Sequence, residues 1–314
     1  MKVIWNYTTA PGLQRRFEAL AEQGLQVNAC PEDDDDTLFE LLEDADVLWH
    51  CLRPVDARVL QAAPRLKLVQ KIGVGVNTID LAMAGERGVA VCNMPGSNSQ
   101  AVAEQTLALM LAVLRRVPDF DRDVRDGRGW SWPGERLDGL GELGGRTVGL
   151  VGYGGVPARL APVLAALNAR VLYTARSDKH SPLAEYRSLD QLVQEADIVS
   201  LHVPLTDETE RLLDRPRFAA MKPGAVLINT ARGGLVDEDA LLEALESGRL
   251  SGAGLDVFAT EPLPPDHPLL QRRDVVLSPH VAWLTGETLA RSLAVAVENC
   301  RRLAAAQPLL HRVA

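Results

Sequence analysis

The chain has 314 residues, 46% of them hydrophobic, with a formal net charge of −9 and a pI near 5.3. That length holds two domains with sizeable cores, and the acidic balance argues against non-specific nucleic-acid binding and against attachment to an anionic membrane surface. No apolar run approaches a membrane span, and the start, MKVIWNYTTAPG, lacks an apolar signal core. The four cysteines, Cys30, Cys51, Cys92 and Cys300, stand far apart without a C-x-x-C pair, so reduced thiols, a cytoplasmic location and no metal site are expected.

Short apolar runs open the chain: VIWNY (3–7), LQVNA (25–29), DVLWHC (46–51), LKLVQKI (66–72) and VAVCNM (89–94). Helical periodicities, LQRRFEALAEQG and TLFELLEDA among them, lie between the runs. Strands alternating with helices predict βαβ units and a parallel sheet. The acidic run from Glu32 to Asp36 precedes the second periodicity; acids favour a helix N-terminus, and Asp36 is the expected cap. A long apolar helix follows from about Gln100 to Arg116. From Arg146 the alternation resumes, with strand candidates RTVGLVGYG, ARVLYTA, ADIVSLHVP, GAVLINTA, SGAGLDV and DVVLSPH. A last helix runs from about Gly286 to Ala305.

The stretch VGLVGYGGVPARL (148–160) carries a strand into a glycine-rich turn. The dinucleotide fingerprint at such a place is G-x-G-x-x-G. Its first glycine makes the tight turn, its second lets backbone approach a pyrophosphate, and its third allows close helix–strand packing. Gly152 and Gly154 hold the first two positions, and Pro157 holds the third. Proline is tolerated in a first helical turn, where its missing N–H has no partner to lose. The amides of Gly155 and Val156 remain to meet phosphate at the helix N-terminus. The loop therefore predicts pyrophosphate binding with the helix set slightly outward; a glycine-rich turn without a ligand is the alternative on this stretch alone.

Further on, INTARGGLVDEDAL (228–241), GAGLDVFATEPLP (252–264) and LSPHVAW (277–283), with VQKIGVGVNTID (69–80) earlier, place glycines or charges at the C-terminal ends of predicted strands. Ligands bind there in open parallel sheets. Singly, Arg232 also reads as a surface cation, Glu261 as a helix cap and His280 as a satisfied loop histidine.

Together, GVGVNTIDLA, LHVPLTDETERLL, MKPGAVLINTARGGLVDE and LSPHVAW resemble the D-isomer-specific 2-hydroxyacid dehydrogenases over nearly the whole chain. The resemblance implies an α/β fold of two doubly wound parallel-sheet domains, with the active site in the cleft between them. A Rossmann cofactor domain (99–283) is inserted in a flavodoxin-like substrate domain (1–98 and 284–314). It implies hydride transfer between a nicotinamide cofactor and a small 2-keto or D-2-hydroxy acid. In that chemistry Gly73, Val74 and Gly75 offer successive N–H groups to the substrate carboxylate. Arg232 forks to the carboxylate and polarises the carbonyl. His280 donates the proton, and a carboxylate beside an imidazole favours its charged form, for which Glu261 is the candidate. Asp256 is expected to receive the nicotinamide carboxamide, Thr230 and Ala231 to lie against the ring, and Val203 and Pro204 to touch the cofactor. His202 reads as structural or cofactor-adjacent.

Substrate and assembly are also read from the resemblance. Trp283, three residues after the histidine, resembles the glyoxylate/hydroxypyruvate reductase branch; a tryptophan packed at a domain or subunit contact is the alternative. Lys71 stands where phosphoglycerate dehydrogenases tend to carry an arginine facing a distal anionic group; a solvated strand-end lysine is the other reading. The helix 100–116 and its following loop imply a homodimer. Some corepressors share the fold and keep the Arg, Glu and His, so a dinucleotide-sensing regulator is the non-enzyme alternative.

The cofactor's identity rests on the strand ARVLYTA. NAD-binding members end this strand in an acid that bonds the ribose hydroxyls. Here the position is held by Ala175 or Arg176. Arg176 offers a planar fork suited to a 2′-phosphate, Ser177 adds a hydroxyl and Lys179 a second cation. Asp178 is discordant unless it points away. NADP(H) is therefore expected over NAD(H).

Overall fold

The computed structural model describes residues 1–130, 133–134 and 139–314. The chain divides into two compact units, Met1–Asn98 with Thr285–Ala314, and Ser99–Leu284.

In the first unit, strands β1 (Lys2–Asn6), β2 (Gln26–Cys30), β3 (Val47–His50), β4 (Leu68–Lys71) and β5 (Ala90–Cys92) pair in the order β2-β1-β3-β4-β5. All pairs are parallel. The strands read as apolar runs because helices cover both faces. Ile4, Leu48, Val69 and Val91 join Leu38, Leu42 and Leu60 in one core. Trp5 and Trp49 each pack on Phe17, with ring centroids 5.4 and 6.2 Å away. The helix Gly286–Ala304 is capped by Thr285, whose hydroxyl accepts from the Thr288 amide. Its buried Asn299 donates to Gln70 Oε1 at 2.6 Å and accepts from the Leu310 amide at 2.7 Å. That polar pair ties the returning chain to β4. In the acidic run the cap is Asp34, which accepts from the Thr37 amide, while Asp35 and Asp36 lie in the first turn of Asp35–Leu42. The expectation for Asp36 is thus corrected by two residues, because the helix begins inside the acidic run.

In the second unit, strands β6 (Thr147–Val151), β7 (Arg170–Thr174), β8 (Glu185–Tyr186), β9 (Ile198–Leu201), β10 (Ala225–Asn229), β11 (Leu250–Leu255) and β12 (Val275–Leu277) form a sheet in the order β12-β11-β10-β9-β6-β7-β8. All its pairs are parallel. The order reverses between β6 and β9, so the loops after these strands flank the switch point where α/β sheets bind ligands. The helix Ser99–Arg115 packs on this sheet over glycines. A Cβ on Gly254 would lie 2.9 Å from both Leu109 Cβ and Ile228 Cδ1, and one on Gly252 would lie 2.8 Å from Val113 Cγ1. A second helix, Val117–Arg125, follows where a loop was expected; its sequence VPDFDRDVR is too polar to signal it. The two-residue β8 was also not foreseen. Both units are parallel-sheet α/β structures, as the resemblance implied.

Candidate active site

The glycine loop is built from opposite steric demands. Gly152 has φ +100°, and a Cβ there would stand 2.6 Å from the His202 carbonyl oxygen. A Cβ on Gly154 would meet nothing within 4 Å. One glycine is thus demanded by the turn, while the other leaves open space beside bare backbone. Gly154 caps the helix Gly155–Ala166 without a side-chain bond. Among the described residues, none accepts a hydrogen bond from the amides of Gly154, Gly155 or Val156. Orphan donors at a helix N-terminus suit a pyrophosphate, so the loop fits a dinucleotide. Pro157 costs no bond, because the first intrahelical bond runs from the Ala158 amide to the Gly154 carbonyl at 3.1 Å. Close packing falls instead to Gly155, where a Cβ would sit 2.7 Å from Ser99 Oγ.

Beyond β7, Arg176 and Ser177 are exposed, and Arg176 forms no ion pair with a described residue. Asp178 folds back on its own loop, accepting from the Tyr173 hydroxyl and from the His180 amide. After β9, Val203 is half-buried and Pro204 exposed. His202 bonds Ser200 Oγ at 2.9 Å, and burial pushes its imidazole down to about 3. It stays neutral at working pH, in keeping with a structural role.

The chemistry-bearing residues stand after β10, β11 and β12. Asn229, buried at the end of β10, accepts from the Ala231 amide at 3.0 Å and donates to the Arg232 carbonyl at 2.8 Å. This clamp sets the turn that carries Arg232. The half-buried guanidinium donates to the Ala231 carbonyl at 2.6 Å. Burial lowers its pKa against the opposing charge of Glu261. Thr230 shares a 2.9 Å bond with Thr106 Oγ1. The Thr106 hydroxyl already donates to Val102, at 2.7 Å. Thr230 is therefore the donor, and its oxygen keeps accepting capacity.

His280 is held from two sides. Its amide donates to the Asp256 carbonyl at 2.8 Å, and its φ is +53°. A non-glycine residue in this region carries strain, of the kind found at functional sites. Nδ1 lies 2.6 Å from Glu261 Oε2. That leaves Nε2 without a hydrogen bond to a described residue. Burial raises the Glu261 carboxyl, but the His280 bond and charge, the Phe258 amide and the Arg232 charge hold it below the usual carboxylate range. Asp256 is fully buried. It accepts from Ser278 Oγ at 2.6 Å, the Val281 amide at 3.0 Å and the Ala282 amide at 2.9 Å. Burial pushes its carboxyl up despite those bonds. With these three bonds Asp256 braces the His280 loop.

In the first unit, Gly73 has φ +151°, and its carbonyl accepts from the Met94 amide at 2.8 Å. The Val74 carbonyl accepts from Asn93 Nδ2 at 2.9 Å. The amides of Gly73, Val74 and Gly75 bond no described residue. Lys71 is buried, and its ammonium donates to the Cys51 carbonyl, so the solvated strand-end reading is corrected. The lysine points into the sheet end because β4 is covered on both faces. Burial and the Lys71 charge together press His50 well below the ordinary histidine value. In the second unit, Trp283 is also buried.

The family model for the NAD binding domain of D-isomer specific 2-hydroxyacid dehydrogenases matches residues 107–282. The glyoxylate reductase of Aeropyrum pernix is 42% identical over 273 residues, covering 84% of this chain and 81% of its own length. The chain belongs to the D-isomer-specific 2-hydroxyacid dehydrogenase family. The D-3-phosphoglycerate dehydrogenase of Archaeoglobus fulgidus is 38% identical over 82% of this chain but only 49% of its own length. A crystal structure of a protein from Thermus thermophilus matches with a TM-score of 0.90 and 42% identity, covering 100% of both chains.

This dehydrogenase is thus an NAD(P)-dependent oxidoreductase. It uses residues that motif reading passed over. Asn229 and Ser278 fix the turns that carry Arg232 and His280. The available signal was a polar residue ending an otherwise apolar strand run, in AVLIN and VVLS. No helix of the described residues is long and apolar enough to cross a membrane.

Proposed function

We propose that this dehydrogenase reduces a small 2-keto acid, hydroxypyruvate or glyoxylate, to the D-2-hydroxy acid, with NADPH preferred over NADH. The observation that carries the reading is the His280–Glu261 pair at 2.6 Å, with Nε2 left for substrate and the Arg232 charge nearby. The nicotinamide cofactor, when bound, supplies the hydride that the carbonyl carbon receives. Arg232 binds the substrate carboxylate and polarises the carbonyl. His280 gives a proton from Nε2 to the carbonyl oxygen, and Glu261 stabilises the imidazolium that precedes the transfer. The free amides of Gly73, Val74 and Gly75 suit a carboxylate oxygen. Lys71 and Trp283 complete the proposed substrate set; Lys71 Cε runs 3.5 Å from a Cβ placed on Gly73. Gly152, Gly154, Gly155 and Val156 hold the pyrophosphate, Arg176 and Ser177 the 2′-phosphate, and Val203, Pro204, Thr230 and Ala231 lie along the cofactor.

The substrate choice draws on the similarity to glyoxylate reductase. The deciding experiment compares kcat/KM for hydroxypyruvate, glyoxylate, pyruvate, phenylpyruvate and 3-phosphohydroxypyruvate, with each cofactor. A preference for the phosphorylated or aromatic acid overturns the substrate, and an equal or better kcat/KM with NADH overturns the cofactor choice. A homodimer is proposed because exposed Leu111, Val117, Val124 and Trp130 leave apolar surface on and beyond the helix Ser99–Arg115. Monomeric sedimentation at micromolar concentration refutes it. Four buried, unpaired cysteines suit the reducing cytoplasm.

A further inference from the structure

Asp178 is the only carboxylate from Ala175 to Pro182, and it stands between Arg176 and Lys179. A carboxylate turned outward here would repel a 2′-phosphate and could accept a ribose hydroxyl. The structure ties its Oδ1 back onto the end of β7, although the side chain stays exposed at 42%. Tyr173 is fully buried on β7. Its hydroxyl donates to Asp178 Oδ1 and accepts from the Lys179 amide at 2.8 Å. The same Oδ1 accepts from the His180 amide at 2.8 Å, and Oδ2 lies 3.4 Å from His180 Nδ1. The phenol is itself anchored: its ring centroid is 4.2 Å from that of Tyr153, whose hydroxyl bonds Ser181 Oγ at 2.6 Å. Two tyrosines thus grip the loop at Asp178 and Ser181.

We propose that Tyr173 is a positioning residue for cofactor specificity: its hydroxyl keeps Asp178 folded into its own loop, so that Arg176 and Lys179 set the charge met by the cofactor's 2′ position. The inference rests on Arg176 and Ser177 being the 2′ contact. The Tyr173 bond, then the His180 amide, hold the Asp178 carboxyl below the usual range, which fits an ionised group satisfied from within. Tyr173→Phe keeps the ring that fills the core and removes the tether.

The test is equilibrium titration of NADPH and of NADH, followed by nicotinamide fluorescence, with KM values alongside. Tyr173→Phe is expected to weaken NADPH by about fivefold, the order of one added surface charge, and to leave NADH within about twofold. The shift shrinks at high salt, because it is electrostatic. Adding Asp178→Asn to Tyr173→Phe restores the wild-type ratio. Asp178→Glu leaves the core untouched yet makes the carboxylate too long for the tether, and it shows the same selective loss. Equal weakening of both cofactors, an unchanged ratio in Tyr173→Phe and Asp178→Glu, or failure of Asp178→Asn to restore overturns the proposal. A wild-type protein that binds NADH more tightly refutes the NADPH preference instead, and the shift of the ratio between variants remains a separate measurement.

Discussion

At the scale of single residues, His280 is placed by more than its hydrogen-bond partner. Its positive φ and its amide bond to Asp256 aim the ring, Glu261 takes Nδ1, and Nε2 bonds no described residue. His280→Ala is expected to lower kcat for reduction by roughly 10²–10⁴-fold, the usual worth of a positioned acid, measured by steady-state kinetics at pH 7. Near wild-type turnover would remove it from the proton path. Glu261→Gln removes the carboxylate that holds His280 Nδ1 at 2.6 Å, and it is expected to lower kcat for reduction by at least about tenfold in the same assay. On the acid side the wild-type pair persists further down. The Glu261 carboxyl is held below its ordinary value, so the ion pair's contribution is full above the unfolded value and is lost only as pH falls through the lower folded one. Asp256→Ala strands two amides and a hydroxyl. Leaving such buried groups unpaired costs about 1–3 kcal/mol each, so reduced thermal stability should accompany lost turnover. Unchanged melting and kcat would show that the brace is dispensable.

At the scale of elements, glycines decide how closely helices approach the second sheet. Gly254 leaves room on β11 for both Leu109 of the helix Ser99–Arg115 and Ile228 of β10. Gly254→Ala puts a methyl 2.9 Å from two carbons. Overpacking of this kind costs about 1–3 kcal/mol, to be read as a lower urea midpoint with unchanged slope. Gly286→Ala is the control, because a Cβ there meets nothing within 4 Å. The glycine loop follows the same logic with the opposite outcome at its two positions. Gly152 is required by its φ and by the His202 carbonyl, whereas Gly154 borders open space. Gly152→Ala therefore damages the fold as well as cofactor binding. Pro157 is accommodated because the third position of this helix donates no hydrogen bond within it.

At the scale of the whole molecule, buried neutral histidines link stability to pH. Burial lowers His202 from 6.5 to about 3, and His50 is also pressed well down. Between those limits the unfolded chain binds protons that the folded chain refuses, so stability rises with pH across the window and falls on acidification. The urea midpoint should therefore drop between pH 6.5 and 5, before most carboxylates titrate, and His202→Gln should flatten that drop. A midpoint independent of pH in this range would contradict the neutral-histidine assignment.

Strand and helix periodicities, strand-end glycines and the residues Arg232, Glu261 and His280 were legible in the amino-acid sequence. Such signals are local: apolar runs bounded by turn residues, and charges at fixed distances from them. The sequence by itself therefore determined the α/β class, the family and the glycine-rich turn after β6. Tertiary structure alone decided what the carboxylates do. Asp178, discordant as a loop charge, is tied back by one oxygen to a tyrosine five residues earlier on the strand, and Asp256 is closed around the His280 loop. Lys71 is likewise buried rather than solvated. A charge's role depends on where its hydrogen-bond partners lie in space and on how much water remains around it, and neither quantity is carried by residue order.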